Sequence, residues 1–118
     1  MAGEIVHFEL LVKNADDAQA FWGGLFGWEF GSPMPGMDYR MAQIDDKSGA
    51  AIFASGEPKD HPNVYLATDD IDASTAKVRE LGGEAEAKMP VPGFGWFAAC
   101  KDNGGIAFHL WQSDASAA

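Results

Sequence analysis

The chain has 118 residues, 47% of them hydrophobic and 22% charged, which suits one globular domain with its own core. The formal net charge is −10, and the eight Lys and Arg residues are scattered, which argues against nucleic-acid or anionic-membrane partners, since both need clustered cations. With one cysteine, Cys100, no intrachain disulfide can form, and a reducing, cytoplasmic setting is expected.

In chain order, Glu4–Lys13 alternates in polarity and reads as a strand. Asn14 caps a helix over Ala15–Phe26, whose apolar residues Ala18, Phe21, Trp22 and Leu25 recur at helical spacing, and Gly27 ends it. Trp28–Met34 reads as a strand, Pro35-Gly36 as a turn, Tyr39–Ile44 as a strand, Asp45–Gly49 as a turn and Ala50–Ser55 as a strand. Gly56–Asn63, stiffened by Pro58 and Pro62, is a linker. Val64–Thr68 is the next strand, and Asp70 caps a helix over Ile71–Leu81 that Gly82-Gly83 stops. Glu84–Val91 is extended, Pro92-Gly93 turns, Trp96–Lys101 is a strand, Asn103–Gly105 turns, and Ile106–Gln112 is the last strand. The small, polar tail Ser113–Ala118 is expected to fray. Met1–Glu4 lacks the pattern of a signal peptide, and no apolar run approaches the roughly 20 residues of a membrane span.

The order repeats. Shifted by 56 positions, Leu10 falls on Leu66, Asp16 on Asp72, Leu25 on Leu81, Gly27 on Gly83 and Ala42 on Ala98. The expected fold is therefore α+β: a single domain, residues 1–118, of two βαβββ units at about 4–55 and 62–112. Placed edge to edge, the units make an eight-stranded, cup-shaped mixed sheet with its helices outside and a ligand site in the concavity. Strand alternation sends Phe8, Leu10 and Val12 to the helix, and His7, Glu9 and Leu11 to the cup. The same argument sends Asn63, Tyr65 and Ala67, then Ala107, His109 and Trp111, and also Phe53, to the cup.

The phrase His7-Phe8-Glu9-Leu10 and the segment Ala20–Trp28 resemble the opening of the vicinal oxygen chelate superfamily, which includes glyoxalase I, bleomycin-resistance proteins and extradiol dioxygenases. Asp69–Ala73, Met89–Phe97 and Phe108–Gln112 resemble a glyoxalase-like subgroup of unassigned function. The resemblance implies a metal held from the first and last strand of each unit, which by position are His7, Phe53, Asn63 and His109. His7 and His109 are then the candidate metal ligands, for zinc, nickel, manganese or iron. Asn63 is a poor ligand for such metals, and Phe53 cannot ligate.

Three functional readings stay open. The first is a small-molecule-binding protein with a degenerate metal site, sequestering an aromatic or drug-like ligand against Phe53, Asn63, Tyr65, Trp96 and Trp111. The second is a metal-dependent lyase or isomerase acting on a carbonyl substrate, with His7 and His109 on the metal and Glu9 as catalytic base. The third is a non-enzymatic regulatory domain. Glu9 faces inward, where a carboxylate needs a partner, and His7 or Arg40 could provide one. Cys100, without a basic neighbour other than Lys101, reads as an inert buried thiol. The resemblance also implies a homodimer.

Overall fold

A computed structural model of the chain describes residues 2–118. The elements are β1 (Ile5–Leu11), α1 (Ala15–Phe26), β2 (Tyr39–Gln43), β3 (Gly49–Phe53), β4 (Asn63–Ala67), α2 (Ile71–Glu80), β5 (Glu84–Ala85), β6 (Met89–Val91), β7 (Gly95–Lys101) and β8 (Ala107–Ser113). Eight strands in mixed parallel and antiparallel pairing with two helices are the α+β class expected. The chain divides into two compact units, Val6–Asn63 and Val64–Ala118, the latter joined by residues 2–5.

In the unit Val6–Asn63, β1 runs parallel to β3, and β2 pairs with β3 antiparallel. The Asn14 side chain accepts from the Asp17 amide at 2.9 Å, a cap worth about 1 kcal/mol. Gly27 ends α1 in the left-handed region at φ 74°, which an L-residue enters only with strain. Ala50 and Ile52 of β3 are fully buried. The strand expected over Trp28–Met34 does not form. That segment touches β2 through only Gly31 N to Met41 O (2.8 Å) and Met34 N to Tyr39 O (3.3 Å). Pro33 and Pro35 have no N–H to extend a ladder.

In the unit of Val64–Ala118, β4 runs parallel to β8, and β7 pairs antiparallel with β8, β5 and β6. Asp70 caps α2 by accepting from Ala73 N at 3.0 Å, and Lys77 and Arg79 in the last turn complement the helix dipole. Ile71, Ala98, Cys100 and Leu110 form the core between α2 and the sheet, with Leu66, Val78, Trp96 and Phe108 packed on it. Cys100 is a buried free thiol, and burial pushes its pKa up. The extended run Glu84–Val91 is two short strands, β5 and β6.

The tail is not frayed. Ser113 belongs to β8, Asp114 accepts from the Ser116 amide (2.8 Å) and hydroxyl (2.6 Å), and the Trp96 indole donates to Asp114 at 3.0 Å. Gly93 N donates to Ala117 O at 2.9 Å, and Ala117 is 4% exposed. A small polar tail can be ordered when one aspartate turns it back onto a neighbouring loop.

The ladders also correct the repeat. Glu9 faces Ala51 in the first unit, while Tyr65 faces His109 in the second. If Glu9 and Tyr65 correspond, the counterpart of His109 is Ala51, not Phe53. The antiparallel hairpins agree: Tyr39 faces Phe53, and Phe97 faces Trp111. The hairpin turns also agree, with Ile44 N bonded to Ser48 O and Asp102 N to Ile106 O. The second unit thus carries two additional residues between its helix and its final hairpin, and the gapless shift holds only up to there.

Among the described residues, no helix is long and apolar enough to cross a membrane.

Candidate functional site

Each unit has a sheet face away from its helix, and the candidate residues fall on these faces. In the first unit, the ladders place His7, Glu9, Tyr39 and Phe53 on one side. The Tyr39 hydroxyl donates to Glu9 Oε2 at 2.7 Å and lies 2.8 Å from His7 Nε2. Because its proton goes to Glu9, the Tyr39 oxygen accepts from His7, which requires the Nε2–H tautomer. Tyr39 packs edge-on to Phe53 at 5.3 Å. Carboxylate, phenol and imidazole thus form one hydrogen-bonded chain beside an aromatic ring.

Glu9 is 9% exposed, and the phenol is the partner it finds. Arg40 does not reach it. As the residue after Tyr39 in β2, Arg40 points to the opposite face, where it donates to Asp38 (2.8 Å), Asp16 (2.8 Å) and Gln19 (2.9 Å). These bonds, Asp38 foremost, hold its pKa above the ordinary value. A groove of about 570 Å³ lies on this helix side, lined by Ala20, Gly23, Gly24, Trp28 and Arg40, away from the Glu9 face.

Burial pushes the His7 pKa down, and the nearby Glu9 carboxylate only partly offsets this. In the unfolded chain His7 takes a proton near pH 6.5. The folded chain resists that proton, so stability is full above this pH and falls as pH drops through it towards the folded-state value. Urea midpoints between pH 8 and 5 are expected to show this loss, and His7→Gln to remove it. Asp45, Asp102 and Asp114, whose pKa values are lowered chiefly by hydrogen bonds they accept, lose their contribution only below their ordinary 3.8, in a separate, more acid window.

In the second unit, Tyr65, His109, Phe97 and Trp111 share a face. Tyr65 stacks on His109 with centroids 4.5 Å apart, and Phe97 lies 6.2 Å from His109. Trp111 donates to Ser113 Oγ at 3.1 Å. Where the first unit joins Tyr39 to Glu9 through a hydrogen bond, the corresponding Phe97 and Tyr65 make a ring contact at 6.5 Å. Trp96 stands on the other face, against the helix-side core, with Lys88 over its ring at 4.6 Å. Asn63 is half-buried at the start of β4.

Two residues of these faces, Tyr39 and Phe97, were not among the sequence candidates. The signal for Tyr39 was an aromatic with a hydroxyl at the head of an alternating strand. Only the hairpin register makes it the neighbour of Phe53. Among the described residues, no three His, Cys, Asp or Glu side chains are gathered as a metal cluster.

Two units with these strand orders and site faces define the class. The family model of the Glyoxalase/Bleomycin resistance protein/Dioxygenase superfamily matches residues 4–110, and the chain belongs to that superfamily. Its relatives include "Putative glyoxylase CFP32" of Mycobacterium tuberculosis, 33% identical over 90% of this chain and 44% of the relative. Another is "Anthracycline biosynthesis protein DnrV" of Streptomyces peucetius, 34% identical over 89% of this chain and 45% of the relative. The chain therefore spans less than half the length of these relatives. Among solved structures, a methylmalonyl-CoA epimerase from Streptomyces coelicolor, in complex with 2-nitronate-propionyl-CoA, superposes with TM-score 0.75 at 19% identity, covering 100% of this chain and 99% of that one. A superfamily member from Vibrio splendidus gives 0.62 at 16% identity, covering 97% and 100%. At these identities the likeness is one of fold.

Proposed function

We propose that the chain binds a small aromatic, drug-like molecule without a resident metal, and holds it rather than transforming it. One observation carries this reading: His7 Nε2 is bonded to Tyr39, which is bonded to Glu9, so the imidazole is engaged within the protein. The remaining slots support it. Phe53 has no lone pair to give, and neither has Ala51, which the ladder puts in its place. Asn63 offers only an amide. Two imidazoles and an amide do not fit the three or four strong donors of a zinc-type centre. Each unit's site face is aromatic, with Tyr39 and Phe53 in the first and Tyr65, Phe97 and Trp111 in the second, and either suits a flat apolar ligand. One relative carries the name of an anthracycline biosynthesis protein.

Metal analysis of protein purified without chelator tests this. Substoichiometric metal is expected, with a melting midpoint unmoved by zinc, nickel, manganese or iron. One equivalent of metal, lost in His7→Ala, would instead favour a metal-dependent lyase or isomerase with Glu9 as base. The reading also takes the chain as a cytoplasmic homodimer, and a monomer by sedimentation would contradict the latter.

A further inference from the structure

The two helices hold matching places in their units but present different surfaces to solvent. In the 56-residue shift, Phe21 of α1 matches Lys77 of α2, Gly24 matches Glu80, and Phe26 matches Gly82. Lys77 and Glu80 are exposed and form an ion pair at 3.4 Å, as a solvated helix face commonly does. On α1, Phe21 is 62% exposed, Phe26 58% and Leu25 56%. Leu25 has an exposed counterpart in Leu81, so the difference lies in Phe21, Gly24 and Phe26. Phe21 lies edge-on to Trp22 at 5.3 Å, and Trp22 stacks on Trp28 at 5.6 Å, so the exposed rings form the rim of one aromatic cluster. A contiguous exposed apolar patch of this kind marks an interaction site.

Gly24 is the second departure. Glycine within a helix weakens it. The φ of Gly24 is not positive, and a Cβ there would meet nothing within 4 Å. Neither the backbone nor a neighbour within the chain requires a glycine, and its smallness opens α1 to close approach from outside. The groove of about 570 Å³ lies here, with Ala20, Gly23 and Gly24 in its lining.

We propose that this face of α1 docks a second copy of the chain. At 100° per residue, Phe21 and Leu25 flank the line Ala20–Gly24 on one side, and Gly23 flanks it on the other. A two-fold rotation about an axis along the helix therefore sets the Phe21 ring of each copy against the glycine groove of the other. Knob and hollow on one surface are the self-complementarity an isologous interface needs. The relatives are more than twice as long as the stretch they share with this chain, so they carry in one polypeptide further length that a second copy supplies here.

This inference rests on the homodimer of the reading above and assigns its face. Sedimentation equilibrium of the whole chain is compared with that of the double variant Phe21→Lys, Gly24→Glu, which gives α1 the ion pair that α2 already carries. The wild type is expected to be a dimer, and the variant to weaken it about 100-fold while its circular dichroism stays that of the folded chain. If the variant fails to fold, dilution of the wild type decides. Amide shifts on passing from dimer to monomer are expected over residues 20–30 and not over α2. A dimer of unchanged affinity in the folded variant, or dilution shifts outside residues 20–30, overturns the α1 assignment and leaves the homodimer standing. A wild-type monomer overturns both and leaves the face to a segment of a longer polypeptide.

Discussion

Gly95→Ala is expected to lower stability by about 3 kcal/mol, at the upper end of what overpacking usually costs. Gly95 opens β7, and the Trp111 ring and the Gln112 carbonyl occupy the space a side chain there would take. A methyl group there would stand 2.6 Å from Trp111 Cζ2 and 2.9 Å from Cη2, and would collide with the Gln112 carbonyl oxygen. The indole could swing away, but the carbonyl belongs to the β7–β8 ladder and cannot move without breaking it. The substitution should therefore shift the urea midpoint strongly and also displace Trp111 from the site face, seen as a change in tryptophan emission of the folded state. A loss below about 1 kcal/mol, the ordinary value for a single substitution, would mean that β7 and β8 are not this close.

Tyr39→Phe is expected to cost about 3 kcal/mol, although it removes one oxygen atom. That oxygen serves a buried carboxylate and a half-buried imidazole, and its loss takes the donor from Glu9 Oε2 and the acceptor from His7 Nε2. The cost arises from the carboxylate left behind, so it should depend on that carboxylate. With Glu9→Leu in the same chain, Tyr39→Phe should cost well under half as much, because no buried charge then asks for the phenol. Urea denaturation of the two single variants and the double variant measures this. Additive losses would show that Tyr39 and Glu9 are not coupled.

The local elements were legible in the chain because their signals are local. Asn14, Gly27 and Asp70 sit where the backbone needs a cap or a left-handed turn, and each does that work in the structure. Alternation in β1 and β8 correctly separated Phe8 and Leu10 from His7 and Glu9, and Leu110 from His109. What the chain did not reveal was register. A match of small residues and glycines across the repeat is compatible with a slip of two, since a two-residue slip leaves every side chain on the same face. The slip exchanges Phe53 for Ala51 as the counterpart of His109 without disturbing the polarity pattern. The same gap hid Tyr39, whose importance depends on which β1 residues it reaches across β3. Trp28–Met34 misled for a different reason: its aromatic residues favour a strand, but Pro33 within it and Pro35 just after it lack the N–H a ladder needs. Trp96 shows the limit of reading aromatics as ligand lining. Its alternation phase sets it with Ala98 and Cys100, and so against α2.

Amide chemical-shift mapping of the chelator-treated chain, titrated with a planar aromatic ligand, tests the central claim most directly. The account predicts saturable shifts on a site face, at Glu9, Tyr39 and Phe53 of the first unit or at Tyr65, Phe97 and Trp111 of the second, with no metal present. Shifts that arise only after zinc, nickel, manganese or iron is added, or that cluster instead on the α1 groove at Ala20, Gly23 and Gly24, would contradict it.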